Sequence, residues 1–487
     1  MFLRAVRGAL SAIFVVAVAA GCGGSKHSTW ALPGGDLGGT RAAVHSTINA
    51  ANVHALRPVW RFALTGPPGA TGIFSASPVA DADTIYVEDL RSNVFALDRA
   101  TGKVRWAHHY NAPNEGPNGI AVDGGRVYGT TDTDAFALAA VNGRELWRRH
   151  LTNAQEQFVD VAPVPWEGLV FAGTVGYAPG GRGKIYGLDA ATGVVRWRFD
   201  TIKRPWTHPQ LSGGGGIWYP VSVGPDGKLY AGTANPGPWG GTAQFPNGAA
   251  FPGPARYTDS LVVLDAKSGV LDWTDQLTPH DVRDYDFEAT PILAGDDVFG
   301  AGKAGRVVAW NRMTHKRLWS TTVGKHLNDL GPLPAKPVTV CPNVLGGVET
   351  PMAYADNRLF VPVVDLCGIG GAATTQPVTE LDLSKGRGRL VALDASNGKP
   401  LWERRLPSPL FGCATVANDV VFSSTYDGVV YAFSTRTGVE LWRVTMPAGI
   451  NACPTVVGNL LLVGAGIKRS PTSTPEVVAF STSAGGR

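Results

Sequence analysis

A glycine followed four residues later by a tryptophan recurs along this chain. The pairs are Gly102 with Trp106, Gly143 with Trp147, Gly193 with Trp197, Gly269 with Trp273, Gly398 with Trp402 and Gly438 with Trp442; His315 and Trp319 form a variant without the glycine. The run from Gly187 to Trp197 shows the unit: a short apolar strand, a turn, and a second strand ending in tryptophan. Asp189 can bond the backbone of its own turn, and Gly193 supplies the positive φ the turn demands. The β-branched and aromatic residues Val194 to Trp197 favour a strand. One such unit cannot bury its apolar face alone, so the recurrence constrains the fold more than any local propensity. From Trp106 to Trp147, and from Trp402 to Trp442, the interval is about 40 residues, the period of a four-stranded propeller blade.

The repeat tryptophans are Trp60, Trp106, Trp147, Trp197, Trp273, Trp319, Trp402 and Trp442, which predicts eight blades. Pro58 to Phe62 is a tryptophan-bearing strand with no partner before it, while Val477 to Thr482 opens a repeat that stops before its tryptophan. The two halves complement each other. The expected fold is therefore all-β, an eight-bladed propeller of four-stranded blades whose N-terminal strand completes the last blade and removes an open edge. The tryptophans are expected to pack between neighbouring blades and carry no chemistry.

Arg4 and Arg7 precede an apolar run from Ala9 to Ala20 that ends Val18-Ala19-Ala20-Gly21-Cys22. The run is too short to span a bilayer comfortably and reads as a leader. Its end resembles a bacterial lipoprotein signal, which implies cleavage before Cys22 and lipid attachment there; an ordinary secretory leader is the alternative. Residues 1–21 are thus assigned to the signal, 22–45, rich in Gly, Ser and Thr, to a flexible tether, and 46–487 to the propeller. The expected location is the cell envelope, on the periplasmic or extracellular face. Four further cysteines outside the cytoplasm permit two disulfides in three possible pairings. Cys341 with Cys367 and Cys413 with Cys453 are favoured, the second pair because it sits at equivalent places in successive repeats; buried free thiols are the alternative. The net charge of +4, without long basic runs, gives no footprint for nucleic acid.

Two intervals, Trp197 to Trp273 and Trp319 to Trp402, are far longer than the rest, and such insertions map to loops on one face. The first carries Gly213 to Trp218 and Asn235 to Trp239, the second Cys341 to Gly347. Gly183-Lys184 and Gly302-Lys303 invite a phosphate-loop reading, but neither is followed by Ser or Thr and each precedes a strand. The densest polar group is His280-Asp281-Val282-Arg283-Asp284-Tyr285-Asp286-Phe287-Glu288. In an extended conformation Asp284, Asp286 and Glu288 share one side and call for a cation among them; a solvated loop paired with nearby basic residues is the alternative.

The motifs Asn235-Pro236-Gly237-Pro238-Trp239, Tyr257 to Asp265 and Thr278 to Asp286, with Lys303 to Arg312 and Cys341 to Tyr354, resemble the quinoprotein alcohol dehydrogenases. The resemblance implies an eight-bladed propeller holding pyrroloquinoline quinone and calcium on its axis. It implies Asp284 as metal-bound catalytic base, Asn235 as amide metal ligand, Lys303 as the basic residue on the quinone, and Trp218 near the ring's floor; Asp286 or Glu288 would replace a missing third metal ligand. That third position falls near Ala178, no vicinal cysteine pair is present, and Arg283 stands where tryptophan is usual. No Cys-x-x-Cys-His haem motif occurs, so electrons would need an external acceptor. The expected function is an exported, lipid-anchored oxidoreductase acting on alcohols or sugars. The alternatives are a non-catalytic propeller scaffold resembling the outer-membrane assembly propeller, with an envelope protein as partner, and a glycan- or small-ligand-binding module.

Overall fold

Eight four-stranded antiparallel sheets surround a central axis in this structure, a computed structural model. It describes residues 28–483 apart from 44, 70, 154–156, 177–179, 205, 207, 241–243, 252 and 373–381, so Cys22 and Ala178 lie outside the described residues. Blades 1 to 7 span 79–108, 121–150, 164–200, 222–276, 292–322, 353–406 and 412–445. Blade 8 takes three strands from 455–481 and its outermost strand from Arg57–Ala63, which pairs antiparallel with Glu476–Ser481. The expected closure is thus the observed one. The innermost strands are short and almost wholly buried, and the outermost alternate between exposed and buried positions. That alternation is what a half-solvated sheet face requires.

The glycine and tryptophan of the repeat act across neighbouring blades. A Cβ placed on Gly143 would come within 2.4 Å of Trp106, one on Gly193 within 2.5 Å of Trp147, and one on Gly398 within 2.4 Å of Trp319. Each turn glycine therefore serves twice, adopting positive φ (69° at Gly193) and leaving room for the preceding blade's indole. The indole Nε1 of Trp147 donates to Ala190 O at 3.0 Å, and that of Trp319 to Ala395 O at 2.9 Å. Where His315 replaces the glycine, Trp273 stacks on the imidazole with ring centroids 4.8 Å apart.

Residues 28–43, expected as part of a tether, are packed instead. Trp30 and Arg41 are each 2% exposed. The segment runs across the mouth of the ring as a strap. Its carbonyls accept from the innermost strands of several blades: Ala31 O from Val122 N, Leu37 O from Val223 N, Gly38 O from Leu293 N, Thr40 O from Tyr354 N and Arg41 O from Val416 N, all at 2.8–2.9 Å. Backbone donors facing the axis need such partners once buried. A composition rich in Gly and Thr suits this path because small residues let the strap lie flat. A Cβ on Gly39, whose φ is +68°, would meet Ser222 Oγ at 2.8 Å.

Both insertions form two-stranded ribbons. Gly213–Gly214 pairs with Pro236–Gly237, and Val338–Val340 pairs with Gly368–Gly370. The second ribbon is closed by Cys341–Cys367, with Cα atoms 4.5 Å apart, and Cys413 pairs with Cys453 at 4.9 Å. Both favoured disulfides are present.

Candidate functional site

The repeat register places one side chain per blade on the axis. In every blade one residue of the innermost strand pairs with an aromatic residue or leucine of the second strand, as Val164 does with Phe171 and Ile292 with Phe299. The residue four positions earlier points to the centre: Ser75, Pro117, Asp160, Trp218, Glu288, Glu349, Phe411 and Asn451 in blade order. All but Asp160 line one of two axial chambers. Pro117, Tyr219 and Asn451 border both. The larger chamber holds about 290 Å³, between the aromatic rings of Trp218, Tyr219, Phe411 and Tyr426 and the polar heads of Glu115, Glu288, Glu349 and Lys303. The smaller, about 30 Å³, lies against the strap.

Lys303 joins the larger chamber to the polar cluster read from the sequence. Its Nζ lies 3.1 Å from Asp284 Oδ2 and 2.6 Å from Asp286 Oδ2. Asn235 Nδ2 donates to Asp284 Oδ1 at 2.7 Å, and Asn235 N donates to Asp286 Oδ1 at 2.6 Å. Asn235, Asp284, Asp286 and Lys303, spread over 69 positions of sequence, thus form one cluster. Trp218 is a wall of the adjoining chamber, where its ring meets Phe158 edge-on at 5.9 Å.

Local backbone chemistry assembles the cluster. Asp284 has φ +66°, a left-handed conformation uncommon outside glycine. Asp281 holds it there, its carboxylate accepting from Arg283 N at 2.8 Å and Tyr285 N at 2.6 Å. Tyr285 donates its hydroxyl to Pro342 O at 3.0 Å, and the Arg283 guanidinium donates to the carbonyls of Asn328, Leu330 and Gly331. Arg283 therefore ties this turn to the second insertion. The expected extended run is a turn here, because positive φ at Asp284 breaks the alternation. Glu288, beyond the turn, still reaches the chamber. Gly302 is explained by proximity: a Cβ there would lie 2.0 Å from Asp286 O. Gly214, at φ +90°, is crowded in the same way by Asn235 O at 2.1 Å.

Four carboxylates surround one ammonium, and the electrostatics follow. Burial pushes Asp284 up to about 7, against the opposing pull of Lys303. Glu349 rises to about 8 and Glu288 well above the usual carboxylate range, both mainly through burial. Burial alone would lower Lys303, but Asp284, Asp286, Glu288 and Glu349 outweigh it and hold it protonated. Glu288 is 4% exposed, and its Oε1, like Oε2 of Glu349, has no hydrogen-bond partner. Asp284 keeps 17% of its side chain exposed.

The expected metal ligands are less evenly placed. Both Asp286 oxygens are engaged, one by Lys303 and one by Asn235 N. Among the described residues no group of three or more carboxylate, histidine or cysteine side chains is arranged to hold a metal. Both Asp284 oxygens are engaged as well, Oδ1 by Asn235 Nδ2 and Oδ2 by Lys303, so a cation at Asn235 and Asp284 would have to displace these contacts. Sequence reasoning missed Glu349, Tyr219 and Asp160. The register of the repeat was the signal that would have found Glu349 and Asp160.

A family model described as outer membrane protein assembly factor BamB, PQQ_2, matches residues 44–235, 118–335 and 344–486. The chain belongs to this PQQ-repeat family. The overlap of the first two matches is what a tandem repeat produces when it aligns in more than one register of whole blades. The chain is also similar to the quinoprotein alcohol dehydrogenase PedH of Pseudomonas putida, 26% identical over 482 residues covering 82% of this chain and 79% of the relative. Among solved structures, the quinohemoprotein alcohol dehydrogenase from Comamonas testosteroni superposes with a TM-score of 0.81 at 23% identity, covering 95% of this chain and 81% of that one. BamB from Moraxella catarrhalis superposes at 0.56 with 15% identity, covering 88% and 97%. The fold of this chain superposes better on that dehydrogenase than on that assembly factor.

Proposed function

We propose that this chain is an exported quinone-dependent oxidoreductase acting on alcohols or sugars. The observation that carries the reading is the buried cluster of Asn235, Asp284 and Lys303 beside a chamber of about 290 Å³ with aromatic walls. The residues fit a flat, carbonyl-rich ring. Trp218 and Tyr219 offer faces to stack on, Lys303 offers a charged donor, and Glu288 and Glu349, which share a hydrogen bond and each keep one oxygen without a partner, are carboxyl groups that burial favours in the protonated, donating form. Pyrroloquinoline quinone is the cofactor proposed, and Lys303, Trp218, Glu288 and Glu349 would hold it. When bound it supplies the two-electron acceptor chemistry. A calcium ion would be held by Asn235 and Asp284 in place of their contacts with each other and with Lys303, and would supply Lewis-acid polarisation.

The protein's own contribution is proton transfer and orientation. Asp284 accepts the hydroxyl proton of the substrate. Asn235 and the strained turn fix its carboxylate, and Lys303 keeps the ionised form next to a positive charge. The aromatic walls and the strap behind them exclude bulk water. The disulfides suit an oxidising compartment, and Cys22 is proposed as the lipid anchor. Electrons would leave to an external acceptor. The family model's description favours a second reading, a non-catalytic envelope scaffold.

Dye-linked turnover by the purified protein, loaded with pyrroloquinoline quinone and calcium, separates the two. Primary alcohols and sugars should reduce the dye. Asp284→Asn should lower kcat by about 10²- to 10⁴-fold while the quinone still binds. A wild-type protein that takes up no quinone leaves the scaffold reading standing.

A further inference from the structure

The smaller chamber has the opposite electrostatic character to its neighbour. Arg41 is the one charged residue in its lining, and no carboxylate faces it there. No ion pair involves Arg41 elsewhere among the described residues. Its guanidinium is 2% exposed and donates to neutral acceptors only: Nε to Ala414 O at 2.9 Å, Nη1 to Pro33 O at 2.7 Å, and Nη2 to Thr415 Oγ1 and Pro454 O, both at 2.9 Å. Guanidinium carries five N–H groups, so one on Nη1 has no acceptor. Burial pulls Arg41 down to about 9, and its guanidinium carbon lies 5.8 Å from the centre of the Trp30 ring. A buried charge is costly unless a counter-charge meets it.

Two further groups on this lining lack partners. Ser75 Oγ, on a residue 2% exposed, has no hydrogen bond. Asn118 Oδ1, on a residue 4% exposed, has none either, although its Nδ2 donates to Asp89 O at 2.8 Å. A hydroxyl can donate to an anion, and an amide oxygen can accept from a water. The space of about 30 Å³ admits roughly two water-sized particles.

We propose that this chamber binds one small monovalent anion, a halide, between the Arg41 guanidinium and the Ser75 hydroxyl, with one water bridging to Asn118. The anion neutralises the strap's only buried charge and pins the strap across the axis. The site does not rest on the quinone reading, since Arg41, Ser75 and Asn118 line the smaller chamber and not the larger.

Crystals of the full chain soaked in bromide, with anomalous diffraction, test it directly. A single peak within hydrogen-bonding reach of Arg41 and Ser75 is expected. In solution, Tm should rise with chloride and saturate, at ionic strength held constant with gluconate, which is too large to enter. Ser75→Ala removes one hydrogen bond to the anion and should shift the half-saturating chloride concentration upward by roughly 10- to 100-fold. Arg41→Gln, if it folds, should abolish both the peak and the chloride dependence. A wild-type chamber holding only water in bromide, or a Tm indifferent to the exchange of chloride for gluconate, would overturn the proposal.

Discussion

Asp160 has no exposure to solvent, and neither of its carboxylate oxygens has a well-aligned hydrogen-bond donor. Burial, with some help from Glu115, pushes it well above the ordinary carboxylate range. The folded state therefore keeps a proton that the unfolded chain releases above about pH 4. A raised carboxyl pKa makes stability fall as pH rises, by up to about 1.4 kcal/mol per pH unit until the folded group itself ionises. Asp160→Asn removes the ionisable group and should flatten that decline, which urea unfolding at pH 5 to 8 would show as a smaller loss of midpoint. An unchanged slope would mean that Asp160 is already ionised in the folded protein. At this scale the sequence was partly legible. Asn235, Asp284, Asp286 and Lys303 could be picked out because their motifs are local and ordered. Asp160 and Glu349 could not, because nothing around them is unusual; only their position relative to the blade's inner strand puts them on the axis.

At the scale of the element, the turn glycines carry two separable costs. Gly193 needs positive φ and also space for Trp147, whereas Gly125, at φ +74°, has nothing within 4 Å of an added Cβ. Gly125→Ala should therefore cost about 1 kcal/mol, from backbone conformation alone. Gly193→Ala should cost about 2–4 kcal/mol, because the methyl also displaces an indole packed between blades. Chemical unfolding of the two variants compares them, and equal losses would remove the indole from the explanation. The blades were legible because strand, turn and tryptophan repeat with one period. The strap was not. Its Gly- and Thr-rich composition is the same whether a segment is loose or laid flat across strand ends, and its partners lie in blades hundreds of residues away.

For the whole molecule, the decisive feature is closure. Arg57–Ala63 is the strand that leaves blade 8 without a missing edge. Removing residues 28–63 strips both the strap and this strand, opening the edge of Glu476–Ser481 to other chains. Such a chain should elute from size exclusion as aggregates, while the full chain runs as a discrete species. Closure also separates the axis into a carboxyl-rich chamber with aromatic walls and a small cationic one. The ring could be read from the ends of the sequence, since an orphan strand at the start matches a truncated repeat at the end. The two chambers could not, because they exist only after eight distant segments converge. We propose that the larger chamber is the quinone site. A crystal structure of the protein grown with pyrroloquinoline quinone and calcium tests it most directly. Flat density is expected in that chamber, against Trp218 and within reach of Lys303. Quinone bound elsewhere, or a chamber that stays filled with water at saturating quinone, would contradict it.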